Sequence, residues 1–114
     1  MKNMFLICLF STLVISTTVS ADCLKDQKGD VVCGEGQCLK DQYGKIFCAS
    51  AGGGAIKDDK GNVLCGVGRC ASDSRKKVWC SKEVNGGAAI DSEGNVKCLG
   101  GCAPGSAALC QAAK

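Results

Sequence analysis

Most of the chemistry this sequence could perform resides in ten cysteines: Cys23, Cys33, Cys38, Cys48, Cys65, Cys70, Cys80, Cys98, Cys102 and Cys110. A thiol can ligate a soft metal, act as a redox nucleophile or close a disulfide. Spacing and companions separate these roles. The chain contains no Cys-x-x-Cys; its nearest approach is Cys98-x3-Cys102, and there is neither a Cys-x-Cys run nor a single His. Dithiol redox catalysis, zinc and iron–sulfur ligation are therefore disfavoured. With Cys8, which falls in the expected signal peptide, set aside, the even count of ten in a small chain reads as a disulfide framework. Without His, the Ser-His-Asp and Cys-His constellations, His-ligated metals and C-x-x-C-H haem attachment are excluded. We expect no enzyme activity, no cofactor and no bound metal.

Five aspartates recur at regular intervals: Asp26, Asp41, Asp58, Asp73 and Asp91. Paired carboxylates could hydrolyse glycosides, but each of these is followed three residues later by Gly29, Gly44, Gly61, Lys76 or Gly94. Asp-x-x-Gly is the signature of a type I turn, in which the carboxylate already bonds nearby backbone N–H groups. Gly53-Gly54-Ala55-Ile56-Lys57-Asp58 and Gly86-Gly87-Ala88-Ala89-Ile90-Asp91 approach a calcium-binding nonapeptide, but lack its third glycine and never repeat consecutively. Asp58-Asp59-Lys60-Gly61-Asn62 lacks the spacing and closing Glu of an EF-hand. Turn chemistry accounts for all of them.

One basic cluster stands out: Arg75, Lys76 and Lys77, with Trp79 and Lys82 nearby. It occupies the one turn whose glycine is replaced. It is a candidate surface patch for an anionic polysaccharide or lipid surface, with Trp79 as anchor; otherwise it is a solvated turn tip.

The elements that carry these residues are repeats. Units 23–33, 38–48, 55–65, 70–80 and 88–98 align without gaps. Asp stands at position four, Gly (once Lys) at seven, Val or Ile at nine and Cys at eleven. Each reads as a β-hairpin with a three-residue loop and a Gly bulge. Counting outward from the turn, four faces eight, three faces nine, two faces ten and one faces eleven. If four and eight form a hydrogen-bonded pair, one and eleven form the closer, non-bonded kind, at a Cα separation of roughly 4.5 Å that a disulfide can span. The two–ten pairs Leu24/Val32, Leu39/Phe47, Ile56/Leu64, Ala71/Trp79 and Ala89/Lys97 predict one apolar face that fades in the last unit. Residues 102–110 read as a degenerate sixth unit, or as a short helix capped by Ser106.

Linkers alternate between short (34–37 and 66–69) and long (49–54 and 81–87), so the full repeat is a pair of units. Two disulfide schemes follow. One closes the hairpins as 23–33, 38–48, 70–80 and 102–110, leaving Cys65 to meet Cys98. The other closes the short linkers as 33–38, 65–70 and 98–102. Either way, the expected fold is all-β: tandem disulfide-stapled β-hairpin repeats stacked into a small elongated domain. Tyr43, Phe47 and Trp79 are its only aromatics, and burial alone could not offset the entropy of ordering so Gly-rich a chain.

The domain (residues 22–114) is preceded by a signal-peptide helix. Lys2 supplies the positive start, Met4 to Ile15 the apolar core, and Val19-Ser20-Ala21 a cleavage site after Ala21; Cys8 is lost with it. The apolar core is too short for a transmembrane anchor. The formal charge of +3, part of it from Lys2, is too even to imply nucleic acid. The chain is expected to be secreted or periplasmic.

The Cys-Gly-x-Gly-x-Cys linkers and the stretch Gly-Gly-Ala-Ala-x-Asp-x-x-Gly-x-Val-x-Cys-Leu-Gly-Gly-Cys at 86–102 resemble small exported Cys/Gly-rich repeat proteins of Gram-negative bacteria. The resemblance spans most of the mature chain. It implies an envelope or extracellular location and carries no activity or site residue. Together these readings give a non-enzymatic exported repeat protein, structural or binding, with an unknown protein or glycan partner. The alternative is a small secreted toxin, inhibitor or effector on the same scaffold.

Overall fold

The computed structural model describes residues 22–113; the expected signal peptide at 1–21 lies outside the described residues. The described chain is all-β apart from one 3-10 turn. Five hairpins follow one another: β1 (Cys23–Lys25) with β2 (Val31–Cys33), β3 (Cys38–Lys40) with β4 (Ile46–Cys48), β5 (Ala55–Lys57) with β6 (Val63–Cys65), β7 (Cys70–Ser72) with β8 (Val78–Ser81), and β9 (Ala88–Ile90) with β10 (Val96–Cys98). Their register is the one that the turn chemistry predicts, with one opposite eleven in every unit.

The turns show why. In the first unit Asp26 Oδ1 accepts from the N–H groups of Lys28 and Asp30, both at 2.9 Å. Asp41, Asp58, Asp73 and Asp91 each accept the same two bonds. The Asp carbonyl accepts from the N–H three residues on, and the glycines there have φ between 82° and 88°. Asp26 N–H also donates to the Asp30 carbonyl, so four–eight is the bonded pair and one–eleven the close one. Where two cysteines occupy that close pair the chain is stapled: Cys23–Cys33, Cys38–Cys48 and Cys70–Cys80, at Cα separations of 4.0, 4.0 and 3.9 Å.

The hairpins stack as plates. Leu24 and Val32, from positions two and ten of the first, pack on Cys38, Ile46 and Cys48 of the second. Leu39 and Phe47 of the second pack on Ala55, Val63 and Cys65 of the third, with Ala49. The two–ten face is therefore only half-buried, and the deepest residues lie on the opposite face, at positions one, nine and eleven. That corrects the expectation of a single apolar face: the inner plates use both sides, while in the last unit Ala89 and Lys97 are exposed, so the two–ten face fades there as expected. Among the described residues no plate covers the outer face of the first, and Val31 there is 63% exposed.

Linker glycines permit the close stacking. A Cβ on Gly34 would collide with the Cβ and Sγ of Cys48, and one on Gly66 with the Cβ of Cys80. Only hydrogen fits there. The linkers also bond one another: Gly54 N–H donates to Gly68 O (2.8 Å), and Gly68 N–H to Ser81 O (3.0 Å). Asp22 and Gln37 add side-chain caps, accepting from the N–H of Cys38 and of Ala55 in the next plate, both at 3.0 Å.

The C-terminal segment departs from expectation. Residues 102–110 do not form a sixth hairpin, and Cys102–Cys110 and Cys65–Cys98 are not bonded to each other. Instead β11 (Cys102–Pro104) pairs antiparallel with β8, and Ser106 and Cys65 exchange backbone hydrogen bonds at 3.0 Å. The 3-10 helix Ala107–Leu109 follows, with the Ser106 hydroxyl accepting from Ala108 N–H. β12 (Gln111–Ala112) then pairs with β4. The segment is a strap running back over the fourth, third and second hairpins. It is held by Cys65–Cys110 and turned by Cys98–Cys102. Of the short-linker scheme only 98–102 forms; 33–38 and 65–70 do not. The reason is local: Gly105 occupies position four where a turn needs Asp, and Pro104 lacks the N–H of an interior strand, which suits an added edge strand.

Candidate binding cleft at the fourth turn

The hairpin 70–80 differs from its equivalents at its tip. Position seven is Lys76, whose φ of 69° places a side chain where the other four units have glycine. A left-handed conformation costs a non-glycine residue roughly 1–2 kcal/mol. Position ten is Trp79, opposite Ala71 on one side and Pro104 of the strap on the other.

Asp73 organises the tip. Its Oδ1 takes the N–H groups of Arg75 and Lys77 at 2.9 Å, and its Oδ2 takes the Trp79 indole N–H at 3.0 Å. Those donors, the Lys77 N–H first and the indole second, hold the carboxyl below the usual carboxylate range. Trp79 is thereby fixed in orientation, and Lys77 Nζ lies 4.7 Å from the centre of its ring. The counterpart pair, Lys45 and Phe47, is looser at 5.6 Å.

Beside this tip a cleft of about 340 Å³ opens between the fourth and fifth hairpins, lined by Asp73, Arg75, Trp79, Asn95, Val96 and Cys102. Both this step and the one two plates earlier carry a backbone bond between turns, Ser74 N–H to Gly94 O and Gln42 N–H to Gly61 O, each at 3.0 Å, but the earlier step has a side-chain bond as well. There Gln42 Nε2 reaches Asn62 Oδ1 at 3.4 Å and closes the step. At the fourth hairpin the equivalent residue is Ser74, which has no amide to send across to Asn95. A second cleft, about 190 Å³, lies between the first two turns and the end of the strap, lined by Asp26, Lys28, Val32, Lys45, Ile46 and Ala113 among others. It has no aromatic platform.

The structure thus brings Arg75, Lys77 and Trp79 together, with Lys76 at the tip beside them. It does not bring Lys82, which lies beyond the far end of β8, its N–H donating to Gly101 O at 3.0 Å. Alternation along the strand and its length explain the separation: five residues past Lys77 is about 17 Å of extended chain. Sequence reasoning missed Asp73 as the indole partner, and Asn95, Val96 and Cys102 as lining. Position five of the repeat is Gln27 and Gln42 in the first two units but Asp59, Ser74 and Ser92 in the others, so it carried no signal peculiar to the fourth turn. Among the described residues no group of His, Cys, Asp or Glu converges as a metal site, and no helix is long and apolar enough to cross a membrane. No family model matches the chain, nor does any curated protein or solved structure.

Proposed function

We propose that this chain is a non-enzymatic exported binding module, working in the periplasm or outside the cell and presenting the fourth turn to a partner in the envelope or beyond it. One observation carries the reading: the tip at which the repeat breaks its own rule is also the tip where a fixed indole, an arginine and an open cleft coincide. Backbone strain retained in a turn that glycine would relieve fits a functional constraint. Five disulfides support an oxidising compartment, as do the leader-like residues 1–21 and the resemblance to exported Cys/Gly-rich proteins.

The oxidised protein, mixed with washed envelopes of the cell that exports it, is expected to sediment with them. The variant Arg75→Ala, Lys76→Ala, Lys77→Ala is expected to remain in the supernatant. Wild-type protein that stays soluble refutes the binding role at the envelope. The same departure from the repeat also suits a secreted toxin or inhibitor. A growth-inhibition assay with the two proteins decides that reading, and indifference of the target cells to both removes it.

A further inference from the structure

The cleft at the fourth turn has a chemical character more specific than a basic patch. Its lining combines the apolar Trp79 and Val96 with the polar Arg75 and Asn95, and Lys77 Nζ lies over one face of the indole. Asp73 also lines it; its oxygens accept three protein N–H donors, which hold it ionised, and its charge acts on Arg75 beside it. Arg75 is exposed, and only its backbone N–H is used by the turn, so its side chain is available. A ligand matching this site has one face of C–H groups for the indole, a planar anion for the guanidinium fork and hydroxyls for the amide. The volume lies at the small end of the range for ligand sites, about 300–1,000 Å³.

We propose that this cleft binds a carboxylated sugar, a uronic acid residue of an anionic polysaccharide, with Trp79 under the ring and Arg75 on the carboxylate. The assignment rests on the binding role proposed above and names its ligand class. A membrane surface fits less well: an interfacial Trp projects its ring as an anchor, whereas this indole is half-buried and held back by Asp73. Cys102 borders the cleft, but as a half-cystine it brings no thiol.

Trp79 is the only tryptophan of the chain, so its emission reports on this site alone. Oxidised protein titrated with an oligogalacturonate is expected to show a saturable change in emission, absent with a neutral oligogalactoside of equal length and absent with phosphatidylglycerol vesicles. Arg75→Gln is expected to weaken binding at least about tenfold, and Arg75→Lys, which keeps the charge and loses the fork, to fall between. An unchanged melting temperature in both variants shows that folding is intact. Trp79→Phe, followed by calorimetry, is expected to retain weak binding. No response to the uronate, an equal response to the neutral sugar, a response to vesicles alone, or full affinity in Arg75→Gln would each overturn the assignment. Wild-type protein that sediments with envelopes yet ignores uronates removes the sugar and leaves the binding role. Failure of both experiments removes both.

Discussion

The strap's disulfide should be the most stabilising bridge in the molecule, and its contribution can be worked out. Cys65 and Cys110 are 45 residues apart, against 10 for each hairpin staple and 4 for Cys98–Cys102. Cross-linking restricts the unfolded chain more as the closed loop lengthens, giving about 4 kcal/mol for the strap bridge, about 3 for a hairpin staple and about 2 for the shortest. Two bridges nested inside the long loop shorten its free chain to roughly 30 residues, which lowers the first figure only by a few tenths because the dependence is logarithmic. The perturbation is Cys65→Ala with Cys110→Ala. Alanine is chosen because Cys65 is completely buried, and a hydroxyl there would need a hydrogen-bond partner. The cavity left at position 65 adds to the loss. In denaturant unfolding followed by Trp79 emission, the variant should lose about 4 kcal/mol, equivalent to about 15–30 °C in melting temperature for a domain this size. Cys98→Ala with Cys102→Ala is the internal control, expected to lose about half as much. If the strap variant proves no less stable than that control, the strap is not the clasp that the stack depends on.

Three further outcomes follow from the turns and linkers. Gly66→Ala should be severely destabilising, since its Cβ would collide with Cys80, whereas Gly87→Ala, with open space around it, should be neutral or stabilising by up to about 1 kcal/mol; parallel thermal melts check the contrast. Lys76→Gly should stabilise the fold by about 1 kcal/mol by relieving the backbone at φ 69°, and a variant less stable than wild type would show that Lys76 makes compensating contacts. The Asp91 carboxyl is held below its usual range chiefly by the Asn95 N–H. Because its folded pKa lies beneath the unfolded value near 3.9, its contribution is complete above about pH 4 and disappears as pH falls through the depressed value. Melting temperatures measured from pH 5 to pH 2 should therefore fall less steeply in Asp91→Asn than in wild type.

The hairpins were legible in the sequence because their information is local: an Asp and a Gly three residues apart fix the turn, and the turn fixes register out to the cysteine pair. What the Gly-rich linkers do was not legible, since a close backbone approach leaves no mark beyond the glycine itself. The two-sided plates were half-visible. Leu39 and Phe47 announce an apolar face, but the deeper burial of Ile46 and Val63 depends on which plate lies against which. The strap was hidden for a stronger reason. Cys110 meets Cys65 through a return path set by the whole stack, and residues 102–110 imitate the spacing of a hairpin while lacking its turn. At the candidate site, the cluster Arg75–Lys77 with Trp79 was visible as a break in the repeat; the cleft beside it needed the neighbouring plate.

Because the strap starts at the last plate and must reach Cys65 and then β4, its span serves as a length gauge for the stack from the second plate to the fifth. Inserting one more pair of hairpins, about 32 residues, between Cys65 and Cys98 would move the anchor of the tail beyond the reach of its own docking points. The number of plates between β4 and the tail and the length of the tail must therefore change together, whereas plates added before the second hairpin would leave the tail's reach unchanged.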